Sequence, residues 1–285
     1  MTAQAPPRRD EVQRVMVQAR SENFPVASIV LPRRVRADML AVYGFARLVD
    51  DTGDEAEGDR VALLDELQAD LERAWGGTPR HPLIARLQPT VRNRALPIEP
   101  FRKLIEANRR DQLVRRYETY DELLGYCALS AASVGEIVLR IFELATPERI
   151  ALSDKVCNAL QLVEHWQDVG EDYAADRIYL PAEDRRRFGV ADAELAAPHA
   201  GPRLRALIDF EVARTRGLLA EGAPLVRTLR GRWAVAVAAF VAGGRAALGA
   251  IERADHDVLG TPVQAGPVRR AVELGRLLSA SVSRR

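Results

Sequence analysis

Two groups of carboxylates have a spacing that suits the binding of divalent cations. Asp50 and Asp54 lie four residues apart, and Glu164, Asp168 and Asp172 repeat that interval. On a helix, such residues project from one face about one turn apart, and their charges repel each other unless a cation lies between them. Carboxylates suit Mg²⁺, which keeps part of its water shell and takes further ligands from phosphate oxygens. Two such groups therefore predict magnesium ions that hold a diphosphate and stabilise it as a leaving group.

Either group alone also has a simpler interpretation as a solvated helix face. Such a face usually intersperses lysine or arginine among its acids, whereas the segment from Glu164 to Asp172 contains neither residue. The second group also runs beside the apolar Val156, Leu160 and Val163, so we expect it to border the core. The catalytic interpretation requires that the two distant groups come together across a cleft and hold the ions jointly.

Arginines near the carboxylates are candidates for binding phosphate. Arg47 precedes Asp50 by about one turn, and Arg177 follows the second group. A guanidinium group binds phosphate through two parallel hydrogen bonds. Arg33 and Arg34 are equally compatible with an ordinary surface helix.

Helices must position these residues, because apolar side chains recur at helical spacing through most of the chain and no comparable run alternates like a strand. Glycine and proline turns separate the periodic segments, which predicts eight to ten helices. Thr119 with Glu122 predicts a capping box, and Thr146 before Pro147 predicts an N-cap. We expect one all-α domain over residues 1–285, with frayed ends at 1–9 and 283–285.

Composition excludes several classes of protein. The 41 basic and 40 acidic residues nearly cancel, so nucleic acid is not an expected partner. Cys127 and Cys157 form no CxxC pair, which suits a reduced cytosol. The N-terminus lacks a signal peptide, and the longest apolar run, 234–244, is shorter than the roughly 20 residues of a spanning helix. We expect a cytoplasmic protein that does not span a membrane. The basic segment 268–285 either rests on a membrane surface or packs as an ordinary helix.

Small and aromatic residues complete the set of candidates. The small side chains from Ala128 to Gly135 allow either a close helix crossing or a channel for an apolar ligand. Aromatic faces stabilise a carbocation without attacking it. The candidates near the acid groups are Phe24, Tyr43, Phe45 and Trp166, each of which is equally compatible with the core.

Taken together, these segments resemble the squalene/phytoene synthase family, the head-to-head polyprenyl synthases, over nearly the whole chain. The matching motifs are a DDxxD-like element at Asp50 to Asp54, YxxxR at Tyr43 and Arg47, Tyr126-Cys127, QLxxxxxDVxED from Gln161, and RIYLP from Arg177. The QLxxxxxDVxED motif, with the RIYLP that follows it, is highly specific. The resemblance implies a single isoprenoid-synthase domain, an all-α helical bundle around a central cavity.

Within the family, the segments Glu22 to Ser28 and His165 to Asp168 resemble the bacterial hydroxysqualene synthase branch of hopanoid biosynthesis. This implies ionisation of presqualene diphosphate, rearrangement of the cation and capture by water. The resemblance also implies two or three Mg²⁺ ions, whose ligands are drawn from Asp50, Asp54, Glu164, Asp168 and Asp172. The implied catalytic residues are the four aspartates with Tyr43, and the implied substrate-binding residues are Asn23, Phe24, Arg47, Gln161, His165 and Arg177.

The sequence leaves the details of water capture open. Tyr43, Gln161 and His165 are all candidates to position the water, although a lone histidine beside acids is more often a paired side chain. NADPH is not expected, because no GxGxxG follows a strand pattern.

The sequence departs from the family pattern in three places. Glu164 replaces a common asparagine and Gln167 a common arginine, and a C-terminal tyrosine and arginine are missing near His256 and Thr261. Whether Arg20 compensates for the missing arginine is open.

Two alternative functions remain, and a third is excluded. The first is condensation of two prenyl diphosphates to presqualene diphosphate, squalene or phytoene. The second is a non-catalytic, prenyl-lipid-binding helical subunit. The third, a di-iron protein, would need Glu-x-x-His pairs, which the sequence lacks.

Overall fold

The computed structural model describes residues 31–282, and within them every regular element is helical. Arg116 and Ile178 form an isolated β-bridge, and the described residues contain no strand. The predicted all-α fold is thereby confirmed.

The described residues contain twelve α-helices and one short 3-10 helix, Asp192–Ala196. Twelve exceeds the predicted eight to ten, although nine of these helices have at least twelve residues. The other three are too short for apolar periodicity to reveal. In chain order the helices are α1 (Arg33–Asp54), α2 (Arg60–Gly76), α3 (Pro82–Asn93), α4 (Glu99–Leu113), α5 (Tyr120–Ile141), α6 (Pro147–Gln167), α7 (Val169–Ala174), α8 (Ala182–Phe188), α9 (Pro202–Gly222), α10 (Leu225–Thr228), α11 (Gly231–Arg253) and α12 (Pro267–Val282).

The chain divides into two compact units. Of the described residues, 31–113 and 136–145 belong to the first unit, and 114–135 and 146–282 to the second. The predicted single domain over residues 1–285 stays a prediction.

In the first unit, α1 and α2 both pack against α3 and α4. Phe101 lies at the centre of this core, with its ring centroid 5.6 Å from that of Phe45 and 5.3 Å from that of Trp75. Phe45 is fully buried in this cluster, so it is a core residue rather than a face for a cation.

In the second unit, α6 packs along α9, and α11 contacts α6, α9 and α12. Trp166 is fully buried on α6, and its indole N–H donates a hydrogen bond of 2.8 Å to the hydroxyl of Thr215 on α9. Trp166 is therefore also a core residue. A buried hydrogen bond of this kind satisfies the one polar atom of an otherwise apolar ring.

The small-residue segment of α5 is used, at Gly135, for a close approach to α6. A Cβ atom at Gly135 would lie 2.6 Å from both Cys157 Sγ and Ser153 Oγ. A side chain there would force Cys157 and Ser153 to move, so glycine allows the two helices to approach this closely. Of the two sequence interpretations, this contact favours the close helix crossing.

Both predicted helix starts are present, one with a different partner. The hydroxyl of Thr146 accepts the backbone N–H of Arg149. The hydroxyl of Thr119 accepts the N–H of Glu122, but the Glu122 carboxylate accepts the N–H of Glu118 at 2.9 Å, one residue before the expected donor.

Two described helices, α5 and α11, are long and apolar enough to cross a membrane when judged by length and composition alone. Neither helix stands out in the sequence as a single uninterrupted apolar run. In the structure, 44% of the apolar window of α5 and 56% of that of α11 is buried inside the chain, as also occurs in core helices.

Candidate active site

The first acid group lies at the C-terminal end of α1, in the first unit. Asp50 and Asp54 lie on the last turn and a half of this helix, which ends at Asp54. A Cβ atom at Gly53 would lie 2.2 Å from Asn108 Oδ1 on α4, so glycine allows α1 and α4 to approach closely. The amide of Asn108 donates to Asp50 Oδ1 at 3.2 Å, and the amide of Gln112 donates to the carbonyl of Gly53 at 3.0 Å. Gly53, which suggested a helix end or bend in the sequence, therefore also sets the distance to α4.

Asp50 is exposed to water in the structure, although many protein atoms lie near its carboxylate. Burial raises the pKa of Asp50 to about 6, the hydrogen bond from Asn108 opposes this rise, and the charge of Asp54 adds to it. Arg47 forms ion pairs with Asp51 at 2.7 Å and with Glu55 at 3.3 Å. The arginine predicted to bind phosphate thus contacts other acids of its own segment, and it lowers the pKa of Asp50 only slightly.

The second acid group spans the break between α6 and α7, in the second unit. Glu164 lies on the last turn of α6, Asp168 lies between the two helices, and Asp172 lies on α7. The N–H of Asp168 donates to the carbonyl of Glu164 at 3.0 Å, and the N–H of Asp172 donates to that of Asp168 at 2.8 Å. Because these bonds continue the helical path across the break, the predicted acidic stripe is preserved.

Crowding perturbs this second group in the same way as the first. Burial raises the pKa of Glu164 to about 7, and the charge of Asp168 adds to the rise. Burial also raises the pKa of Asp168, with a contribution from Glu171. Glu164 and Asp168 nevertheless keep contact with water. Carboxylates that are accessible, crowded by protein and close to like charges are suited to a cation.

These carboxylates fit magnesium better than a metal held by protein alone. Between residues 31 and 282, no three His, Cys, Asp or Glu side chains are grouped closely enough to hold a metal ion by themselves. Mg²⁺ usually takes only one or two protein carboxylates and completes its shell with water and phosphate oxygens. Pairs of carboxylates therefore suit an ion that arrives with a diphosphate.

Four buried rings lie together in the second unit and are called the aromatic cluster: Tyr117, Tyr126, His165 and Tyr179. The rings of His165 and Tyr179 are stacked, with centroids 3.8 Å apart and planes at 17°. The ring of Tyr179 lies 5.8 Å from those of both Tyr117 and Tyr126. Burial lowers the pKa of His165 to about 3, so the imidazole is neutral. The cluster therefore presents uncharged aromatic groups.

The segment between α4 and α5 holds the RIYLP segment in place. The N–H groups of Ile178 and Ala182 each donate 2.9 Å hydrogen bonds, to the carbonyls of Arg115 and Tyr117 respectively. These bonds lie on either side of Tyr179 and fix its backbone. The N–H of Arg177 donates to the carbonyl of Asp172 at 2.8 Å, which places Arg177 beside the second acid group, as the sequence predicted.

The structure brings Gln161, His165 and Asp172 together. The Nε2 atoms of Gln161 and His165 lie 3.4 Å apart, and Nδ1 of His165 lies 4.0 Å from Asp172 Oδ2. His165 is therefore a paired side chain, which was the simpler sequence interpretation. Its position next to two other candidate residues also keeps it in the candidate site.

The remaining predicted residues are Tyr43 and two arginines on α1, and three residues near the N-terminus. Tyr43 is half-buried on α1 in the first unit, and Arg33 and Arg34 are exposed at the start of that helix. Asn23, Phe24 and Arg20 lie outside the described residues. The sequence reasoning missed Asn108, Tyr117 and Tyr179. Tyr179 could have been noticed because it lies inside the RIYLP motif.

The sequence departs from the family pattern at three places, and residues at two of them form contacts within the second unit. The amide of Gln167 donates to the carbonyl of Val263, which ties the end of α6 to the loop before α12. His256 Nε2 lies 3.3 Å from Asp209 Oδ1. Thr261 is exposed.

Comparison with known proteins agrees with these motifs. Residues 17–273 match the model of the squalene/phytoene synthase family. A hydroxysqualene synthase of Zymomonas mobilis is 35% identical over 204 residues, which cover 70% of this chain and 67% of that protein. The crystal structure of squalene synthase HpnC from Alicyclobacillus acidocaldarius is 41% identical with a TM-score of 0.80, covering 87% of this chain and 95% of the other. A dehydrosqualene synthase in complex with ligand is 26% identical with a TM-score of 0.85, covering 96% and 97%. The chain belongs to the squalene/phytoene synthase family and is an isoprenoid synthase.

Proposed function

We propose that this chain is a hydroxysqualene synthase, a lyase that converts presqualene diphosphate and water into hydroxysqualene and pyrophosphate. The observation that carries the proposal is the juxtaposition, in one unit, of the second acid group and the aromatic cluster. Asp172 approaches His165 at 4.0 Å, and His165 stacks on Tyr179 at 3.8 Å. A site for the anionic leaving group thus adjoins neutral aromatic rings suited to a carbocation.

The proposed magnesium ligands are Asp50 and Asp54 in the first unit and Glu164, Asp168 and Asp172 in the second. When bound, magnesium supplies Lewis-acid stabilisation of the departing diphosphate. The raised pKa values of Asp50 and Glu164 support this assignment, because a cation relieves the repulsion that burial aggravates.

The other proposed roles follow from charge and position. Arg177 lies beside the second acid group and binds phosphate oxygens, as does Arg47 when the diphosphate competes with Asp51 and Glu55 for its guanidinium group. Tyr43 is assigned to catalysis, and Asn23 and Phe24 to substrate binding, on the family motifs alone. The aromatic cluster excludes bulk water and faces the cation. NADPH has no role in this reaction, since water and not hydride ends it.

Product identification tests the proposal. The chain is incubated with presqualene diphosphate and Mg²⁺ in ¹⁸O-water, with and without NADPH, and the products are identified by mass spectrometry. We expect pyrophosphate and a C30 alcohol that carries ¹⁸O, in equal amounts with and without NADPH. Squalene formed only with NADPH would contradict the proposal.

Two alternatives are separated by the same assay. Farnesyl diphosphate supplied alone should give no C30 product. If it does, the chain is a prenyltransferase that condenses two prenyl diphosphates. A chain that binds presqualene diphosphate without releasing pyrophosphate would be the non-catalytic, lipid-binding subunit, for which the departures at Glu164, Gln167 and Thr261 are the best argument.

We also propose a cytoplasmic location with peripheral contact to an anionic membrane through α12. Val268 is 74% exposed and Val272 is 42% exposed, one turn apart on the same face of this helix. Arg269 and Arg276 flank that face. Exposed apolar side chains bordered by cations suit an anionic lipid surface, where so apolar a product would partition.

A further inference from the structure

Capture of a carbocation by water requires that one water molecule be held while bulk water is excluded. We propose that His165 is a positioning residue that orients the Gln161 amide, whose oxygen holds the water that forms the alcohol. This inference rests on the proposed function and deepens it, because it names the pair of residues that selects the alcohol over a polyene.

The hydrogen bond between Gln161 and His165 has a defined direction. The Gln161 atom nearest to His165 Nε2 is its amide nitrogen, at 3.4 Å. An amide nitrogen can only donate, so Nε2 of His165 is the acceptor and its ring proton lies on Nδ1. Nδ1 lies on the side of Asp172, 4.0 Å from its Oδ2, which suits a protonated nitrogen. The amide oxygen of Gln161 is consequently directed away from the imidazole and can accept a hydrogen bond from water.

The imidazole of His165 is held rigidly. His165 is buried, and its ring is stacked on Tyr179 at 3.8 Å. Tyr179 is held between the backbone hydrogen bonds of Ile178 and Ala182 to the segment that precedes α5. Since Gln161 and His165 are one turn apart on α6, a fixed imidazole restricts rotation of the amide. An acceptor that is already oriented holds a water at little further entropic cost.

A bound water molecule determines which of two products forms from the cation. Ionisation breaks the carbon–oxygen bond of the substrate and releases diphosphate, and the cation then rearranges. If water is present, its lone pair forms the new carbon–oxygen bond and its proton passes to the released diphosphate, which gives the alcohol. Without it, a carbon next to the cationic centre loses a proton to the same diphosphate, which gives a polyene. Both routes use the same base, so only the held water distinguishes them.

The test compares the product ratio of the wild type with that of two variants. His165→Phe keeps a ring to stack on Tyr179 but removes both nitrogens, and Gln161→Met keeps the side-chain length but removes the amide. Presqualene diphosphate and Mg²⁺ are supplied, and alcohol, polyene and pyrophosphate are measured. We expect the ratio of alcohol to polyene, measured at equal amounts of pyrophosphate released, to fall about tenfold in both variants, the effect of one lost hydrogen bond. The double variant should lose no more than either single variant, because the two residues act as one unit.

Thr215→Val is the matched control. It removes the hydrogen bond to Trp166, the neighbour of His165 on α6, and so loosens the same helix without touching the pair. Its product ratio should equal that of the wild type. An equal fall in this variant, or an unchanged ratio in both test variants, overturns the inference. If His165→Phe fails to fold by far-UV circular dichroism, Gln161→Met decides alone. A wild type that makes no alcohol refutes the proposed function instead, so the two failures are distinguishable.

Discussion

The imidazole of His165 lies nearly parallel to the phenol ring of Tyr179, with ring centroids 3.8 Å apart. This contact joins the end of α6 to the RIYLP segment, two motifs that the sequence shows only as neighbours along the chain. Because backbone hydrogen bonds fix the RIYLP segment to the segment that precedes α5, the stack fixes His165 as well. The family motifs of the second unit are therefore one packed structure.

The first prediction concerns the acid groups. Asp50→Asn or Asp168→Asn removes a charge proposed to bind magnesium without changing the size of the side chain. We expect pyrophosphate release to fall at least about 100-fold, the upper end of the cost of disturbing a metal's outer ligands. We also expect the rise in melting temperature caused by Mg²⁺ with pyrophosphate to disappear.

Two exposed acids serve as controls for that prediction. Glu66 lies on α2 in the first unit, and Glu221 on α9 pairs with Lys155 in the second. Glu66→Gln and Glu221→Gln should keep the rate and the thermal shift of the wild type. An Asp50→Asn or Asp168→Asn variant that retained both would remove that residue from the metal site.

The second prediction concerns Gly53. Gly53→Ala places a methyl group against Asn108, since the distance to its Oδ1 would be 2.2 Å. We expect a loss of about 1–3 kcal/mol in the free energy of unfolding, as for other overpacked contacts, measured by urea denaturation. Adding Asn108→Ala should restore stability but not activity, because the hydrogen bond to Asp50 is then absent.

Gly243 on α11 provides the comparison for this prediction. A Cβ atom there would meet no atom within 4 Å, so Gly243→Ala should stabilise the protein by up to about 1 kcal/mol through helix propensity. If Gly53→Ala were as stable as Gly243→Ala, the close approach of α1 and α4 would not depend on glycine.

The third prediction concerns Glu211, which is fully buried on α9 and lies 2.7 Å from Arg214. Burial raises the pKa of Glu211 to about 8, against the favourable charge of Arg214 and with a smaller contribution from Asp184. The folded state thus binds a proton more tightly than the unfolded state. Its stabilising contribution is complete below the ordinary glutamate pKa and is lost as the pH rises through the folded value.

We therefore expect the free energy of unfolding to decrease between about pH 4.5 and pH 8, by at most about 1.4 kcal/mol per pH unit for this one group. Urea denaturation at several pH values measures the slope. Glu211→Gln should flatten it, since glutamine does not titrate. An identical slope in this variant would show that Glu211 does not titrate in that range.

The fourth prediction concerns α12. Val268→Asp with Val272→Asp should reduce co-sedimentation with vesicles that contain anionic lipid, because it removes exposed apolar area and adds negative charge. Binding by the wild type should also weaken with added salt. Leu113, which is 77% exposed in the first unit, gives the control Leu113→Asp. Equal loss in this control would show that α12 is not the contact surface.

The helical class, the family and the helix faces on which the acids lie could all be predicted from the amino-acid sequence. These features are local, since apolar periodicity, the four-residue interval of Asp50 and Asp54, and the Thr146 cap each involve neighbours within about two helical turns.

The distant groups that surround those acids could not be predicted and are known from the folded structure. It placed Asn108 beside Asp50, Thr215 beside Trp166 and Tyr179 on His165. It also used Gly135 for a close helix crossing. Such contacts join residues on different helices, and their geometry depends on how whole helices pack together. A spacing within one segment carries no information about that packing.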